Sequence, residues 1–172
     1  MMGRPTLIII SGPSGTGKTT LAHELARRVP CIAICRDEIK EGMVFGREDF
    51  VAASGDELTQ KTFPLFFEVL ELLLRNGVTV VAEAAFQDFR WRPQLEPLAC
   101  IADIRVVQCR TDHSVARERH LVGSRQAHFD AMITDEYYEG FERLTLEPSI
   151  DVDTTDGYNP SLEEIVAFVS SR

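Results

Sequence analysis

The run Gly12-Pro13-Ser14-Gly15-Thr16-Gly17-Lys18-Thr19 fills every fixed position of the pattern G-x-x-x-x-G-K-[ST]. Its three glycines open backbone conformations that let successive N–H groups turn inward around an anion. A helix beginning at about Lys18 adds the positive end of its dipole. The Lys18 ammonium can reach the β and γ oxygens of a polyphosphate. The Thr19 hydroxyl is placed to ligate the magnesium that bridges them, and Thr20 completes the run. These residues are suited to holding ATP with Mg2+. Such a loop is common to switch GTPases, motor ATPases and kinases, so the reaction must be read from the rest of the chain.

Moving a phosphoryl group onto a second molecule requires a carboxylate at the acceptor and cations around the transferring group. Asp37, two residues past the apolar run Cys31–Cys35, is the candidate carboxylate; it can also cap the helix that begins near Glu38. Lys40, one turn later, can hold an acceptor or pair with Asp37. Glu83 ends the apolar run Val78–Ala82, where it can serve magnesium through water, orient a basic residue of the acceptor site, or simply be a solvated strand end. The arginines concentrate in one stretch, at Arg110, Arg117, Arg119 and Arg125. Arginine's planar fork suits phosphate. Arg117 and Arg119 are two apart and cannot share a helix face, so one is expected at the nucleotide and the other toward solvent or Glu118. Gly123 and Ser124 suit a mobile lid over about residues 113–130, with a plain solvated amphipathic helix as the lesser alternative. His113, His120 and His128 are assigned no role. Phe86, Phe89 and Trp91 can wall an acceptor pocket or pack in the core.

Positioning these groups on one edge needs a particular scaffold. Thr6–Ser11 is apolar on both faces, as a central parallel strand is. Leu21, Ala22, Leu25 and Ala26 give the following segment a helical stripe that Pro30 ends. Further strands are expected at Cys31–Cys35, Val78–Ala82, Ile104–Cys109 and Ser149–Val152. Helices are expected over Thr62–Leu74, Ser114–Val122 and Pro160–Ser170. Strand and helix in alternation predict a single three-layer α/β domain with a mostly parallel sheet.

Composition narrows the partners. The 172 residues are 44% hydrophobic and 26% charged, a globular balance. A net charge of −9 repels polyanions, so nucleic acid is a disfavoured partner. Cys31, Cys35, Cys100 and Cys109 lie in or beside apolar runs and read as buried thiols rather than a metal set. With no leader or spanning stretch in view, a cytoplasmic protein without membrane contact is expected, monomeric or homodimeric.

From LIIISGPSGTGKTT through CRDEIKEGM, VTVVAEAAF and VVQCRTDHSVARERH to VDTTDG, the chain resembles the small P-loop kinases. That family includes the kinase domain of polynucleotide kinase, chloramphenicol phosphotransferase and zeta-toxin-like enzymes. The resemblance implies an adenylate-kinase-like P-loop NTPase sheet of order 2-3-1-4-5 and ATP-dependent transfer to an acceptor hydroxyl. It makes Asp37 the acceptor-activating carboxylate, Arg119 and Arg125 lid arginines, and Asp153-Thr154-Thr155 a rim of the adenine pocket. Lys40 stands where polynucleotide kinases carry arginine, and Glu83 where aspartate is often found. Together with the acidity, these departures favour a small neutral acceptor such as a sugar, nucleoside or antibiotic. The alternatives are a 5′-hydroxyl polynucleotide kinase and a nucleotide-binding regulator or ATPase without an acceptor.

Overall fold

In the computed structural model, which describes residues 3–123, 127–128 and 134–171, β1 (Thr6–Ser11) runs through the middle of a five-stranded sheet. Around it stand β2 (Ile32–Cys35), β3 (Val80–Glu83), β4 (Asp103–Arg110) and β5 (Ser149–Asp153), in the order β2-β3-β1-β4-β5. All neighbouring strands pair in parallel, which is the α/β class and strand order expected from the sequence. Successive β1 side chains point to opposite faces. Leu7 and Ile9 pack with Phe66, Leu70, Trp91 and Leu95 on one side, and Ile8 and Ile10 with Leu21, Leu25, Val107 and Ile165 on the other. Burial of both faces is why this strand reads as a continuous apolar run rather than an alternating one.

Parallel neighbours demand crossovers, and helices supply them. One layer holds α1 (Lys18–Arg28) and the chain-terminal helix, Leu162–Ser170. The other holds α3 (Glu57–Arg75) and α4 (Asp88–Leu95). Between β2 and α3, α2 (Arg36–Val44) starts directly off the strand. After β4 come α5 (His113–Val122) and the short α6 (Asp135–Glu139), so the terminal helix is α7. The register sets Ile10 beside Glu83 and Cys35 beside Glu83, so β1, β2 and β3 end level and their following segments share one edge. Ligands of open α/β sheets collect at that edge.

Two boundaries differ from expectation. Glu83 is the last residue of β3 rather than the residue beyond it. Helix α3 starts five residues before Thr62, because Asp56 caps it by accepting from the Thr59 amide at 2.8 Å. Three elements were not anticipated, one of them the 3-10 turn Glu96–Cys100 that follows α4. Helix α4 carries Pro93 and alternates aromatic with arginine, so it shows little apolar stripe, and α6 spans only five residues. Of the four thiols, Cys35 and Cys109 are buried and Cys31 half-buried, but Cys100 is exposed, against expectation. Among the described residues no helix is long and apolar enough to cross a membrane.

Asp56 also receives the Lys40 ammonium at 2.7 Å, and Lys40 reaches the Thr59 hydroxyl at 2.8 Å. Both partners are nearly buried, their side chains 5% and 10% exposed. Burial alone would raise the Asp56 carboxyl, but Lys40, the Thr59 and Ala53 amides and the Thr59 hydroxyl outweigh it and hold it far below the usual range. A depressed folded-state value stabilises the protein above the ordinary carboxylate range and gives that stability up as pH falls toward the folded value. Asp56→Ala leaves Lys40 buried without a counter-charge and is expected to cost about 3–5 kcal/mol. Urea unfolding at neutral pH checks this, and the deficit against wild type should shrink on acidification.

Candidate active site

The loop from Gly12 to Gly17 is held in shape before any ligand is considered. At Gly15, with φ 78°, a Cβ would stand 2.2 Å from the Ala116 carbonyl oxygen of α5. Gly12 is equally close to the Cys109 carbonyl of β4. The Thr16 hydroxyl and the Lys18 ammonium both donate to the Pro13 carbonyl at 2.8 Å, and the Thr154 hydroxyl donates to the Thr16 carbonyl at 2.8 Å. Ser14 gathers three further contacts. Its amide donates to the Tyr137 hydroxyl at 3.2 Å, its carbonyl accepts from Tyr138 at 3.3 Å, and its hydroxyl meets His120 Nδ1 at 2.9 Å. Gly15→Ala would drive α5 away from the loop. Nucleotide affinity is expected to fall at least tenfold, equal to about 1.4 kcal/mol, and calorimetric titration with a non-hydrolysable ATP analogue measures it.

Helix α1 begins at Lys18, capped by Gly17 in the left-handed region at φ 74°. One position on, the Thr19 hydroxyl donates to Glu83 Oε2 at 3.0 Å. Burial raises the Glu83 carboxyl and the nearby charge of Lys18 partly offsets it, while Asp37 pushes it up again. A hydroxyl and a buried carboxylate converging beside a lysine form a hard-oxygen donor set, which fits magnesium. Behind them His23 Nε2 is 2.7 Å from Glu38 and 3.8 Å from the Cys35 sulfur. The Cys35 thiol is pushed up by burial and by the charges of Glu83 and Glu38.

Asp37 lies across the cleft from this loop. It is not the cap of α2, since Cys35 occupies that position; Asp37 is in the first turn with its side chain 59% exposed. Lys40 does not pair with Asp37, because Asp56 and Thr59 hold its ammonium. Ser14, Gly15, Gly17, Lys18, Thr19, Thr20, Asp37, Lys40 and Glu83 nevertheless line one cleft of about 760 Å³, together with Arg119. Of the two helix-borne arginines, Arg119 faces the cleft and donates to the Thr154 and Thr155 carbonyls at 2.9 and 3.3 Å. Arg117 turns away and meets Asp135 of α6 at 2.6 Å, neither at the nucleotide edge nor on Glu118. Arg125 lies outside the described residues. Thr154 is buried and braces the phosphate loop from below; Asp153 faces Arg110 and accepts from the Thr155 amide. Within the stretch expected to act as a lid, His128 Nε2 lies 3.2 Å from Glu41 of α2, and Ala127 packs on Val44 and Leu58.

Several lining residues were not singled out individually by sequence reasoning: Arg36, Thr59, Gln87, Arg90, His120 and Tyr137. Arg36 adjoins Asp37, and Gln87 and Arg90 follow β3 within the aromatic stretch, so proximity to a strand end was the available signal. His120 and Tyr137 had none, because their contact with Ser14 spans more than a hundred residues. Trp91 and Phe86 are buried in the core, with Trp91 also reaching the cleft, while Phe89 is exposed at its mouth.

A family model described as an AAA domain, AAA_33, matches residues 7–142. A solved structure of a candidate kinase from Chloroflexus aurantiacus J-10-fl is similar with a TM-score of 0.82 at 23% identity, covering 97% of both chains. The APS kinase CysC of Mycobacterium tuberculosis, solved with AMPPNP and APS, has a TM-score of 0.65 at 17% identity, over 98% of this chain and 99% of that one. A gluconokinase from Sinorhizobium meliloti 1021 has a TM-score of 0.62 at 20% identity, over 96% and 92%. No curated protein matches the sequence.

Proposed function

We propose, on the premise that this chain belongs to the AAA_33 family of AAA domains, that it is an ATP-dependent kinase transferring the γ-phosphoryl group to a hydroxyl of a small-molecule acceptor. One observation carries this reading. The complete phosphate loop and an exposed carboxylate, Asp37, stand on the same cleft, at the ends of two strands that flank β3. A switch or motor needs only the first of these. Neighbours of the same fold named as gluconokinase and APS kinase support the reaction class.

The loop amides and Lys18 hold the β- and γ-phosphates, and Arg119 stands beside Gly17 to neutralise charge on the transferring group. Thr19 and Glu83 would hold magnesium, whose chemistry is to offset phosphate charge and fix the oxygens' orientation. Asp37 accepts the acceptor's proton as its oxygen bonds to the γ-phosphorus; the bond from that phosphorus to the β,γ-bridging oxygen breaks, and ADP leaves. His128, which meets Glu41 of α2, falls in the stretch 113–130 that we assign as the lid of this cleft. Labelled ATP offered with sugars, sugar acids, nucleosides, aminoglycosides, phenicols and oligonucleotides tests the proposal. Label should appear on a hydroxyl compound. If no compound accelerates ATP consumption, the chain is an NTPase or regulator; label on oligonucleotides alone makes it a nucleic acid kinase.

A further inference from the structure

Beside Asp37, the acceptor side of the cleft carries a nearly buried cation whose ion pair, with the exposed Asp37, is long. Arg36 opens α2 with its side chain only 16% exposed. Its Nη2 donates to the Thr59 carbonyl at 3.1 Å, but its Nη1 meets Asp37 only at 3.4 Å. Its Nε is buried with no hydrogen-bond partner. The guanidinium lies over the Trp91 ring at 5.7 Å. Arg90 lies over the Phe63 ring at 4.9 Å, and Phe63 and Trp91 touch at 4.7 Å between centroids. Two guanidiniums thus sit on adjoining rings, and among the described residues no carboxylate forms an ion pair with Arg90. Burial is the largest influence and pulls the Arg36 value down; Asp37, Asp56 and Glu83 offset it only in part, and Arg90 adds to it.

We infer that the acceptor carries an oxyanion, a carboxylate or a phosphate or sulfate ester, which Arg36 and Arg90 hold beside Asp37. This rests on the kinase reading of the cleft. The oxygens of an uncharged acceptor can accept from Arg36 but bring no charge to offset the desolvation of its guanidinium. An oxyanion instead presents the oxygens a guanidinium fork matches. The nearest alternative counter-charge, Asp37, is the proposed proton acceptor, and engaging it with Arg36 would spend it. The expectation of a neutral acceptor leaned on Lys40, on Glu83 and on the net charge of −9 together, and the first of these does not bear on it. Lys40 is bound to Asp56, so its identity says nothing of the acceptor's charge.

Trp91, the sole tryptophan of the chain, reports on this site. With the phosphate loop saturated by AMP-PNP and magnesium, its fluorescence is followed on adding D-glycerate, D-gluconate, inorganic phosphate or sulfate, and the neutral counterparts glycerol and D-glucitol. At least one anion should give a saturable change where its neutral counterpart is silent; acids against inorganic anions separates carboxylate from phosphate or sulfate recognition. Arg36→Gln should weaken that anion about tenfold to a hundredfold. Arg36→Lys, which keeps the charge without the fork, should weaken it less, with nucleotide affinity reporting that both variants are folded. Silence of every anion, equal binding of neutral counterparts, or unchanged affinity in folded Arg36→Gln overturns the inference. Binding of the acids without transfer to any hydroxyl overturns the kinase reading instead. Transfer to neutral hydroxyls with silent acids does the reverse.

Discussion

Asparagine in place of Asp37 is expected to lower phosphoryl transfer by about 10²- to 10⁴-fold, the usual contribution of a positioned general base, the role proposed for it. Nucleotide affinity stays within a few fold of wild type. The side chain is largely exposed and does not cap α2, so the change disturbs neither packing nor the helix start. Removing one acidic group from the first turn costs about 0.3–1 kcal/mol through the helix dipole. The loss therefore falls on kcat, since an amide cannot take the acceptor's proton. Steady-state kinetics with the acceptor from the screen, alongside ATP-analogue titration and unfolding, separates these quantities. Full transfer activity in this variant removes Asp37 from its role.

Lys18→Ala is expected to abolish turnover, by about 10³-fold or more, because on the proposed reaction it deletes a cation aimed at charge that develops during transfer. Lys18 is 9% exposed and its ammonium rests on the Pro13 carbonyl, so it is already in the loop and needs only a short swing to reach a phosphate. Unlike Asp37→Asn, this variant should weaken ATP-analogue binding as well, since the ground-state phosphates lose the same contact. It should also silence any basal ATP hydrolysis. A Lys18→Ala protein that turns over ATP at the wild-type rate would mean that the loop is not where the triphosphate sits.

The strands and the phosphate loop were legible because both are written locally, whereas the strand order came from the family resemblance. Two-sided apolar runs such as Leu7–Ile10 mark buried parallel strands, and the Gly-Lys-Thr run is one continuous stretch. Asp37 and Glu83 could be placed on one edge for the same reason, as each ends or follows a strand. Pairings between distant elements were not legible. Nothing in the spacing says that Lys40 belongs to Asp56, that Arg117 belongs to Asp135, or that His120 and Tyr137 both grip Ser14. Helix α4 was hidden because Arg90 and Arg92 interrupt its apolar residues, and those interruptions are what bring Arg90 to the cleft.

The bond from Lys40 to Asp56 ties the body of α2 to the first turn of α3, and residues 45–55 lie between these anchored points. Most of that stretch is exposed, Phe45 and Val51 among it. Lengthening such a tether adds only about 0.6 kcal/mol per doubling, and the strut absorbs changes in its course before they reach Asp37. The rim over the acceptor is thus free to diverge in length and chemistry while the transfer machinery beneath it keeps its alignment. In a directed-evolution experiment, this is the stretch to randomise when a new acceptor is wanted.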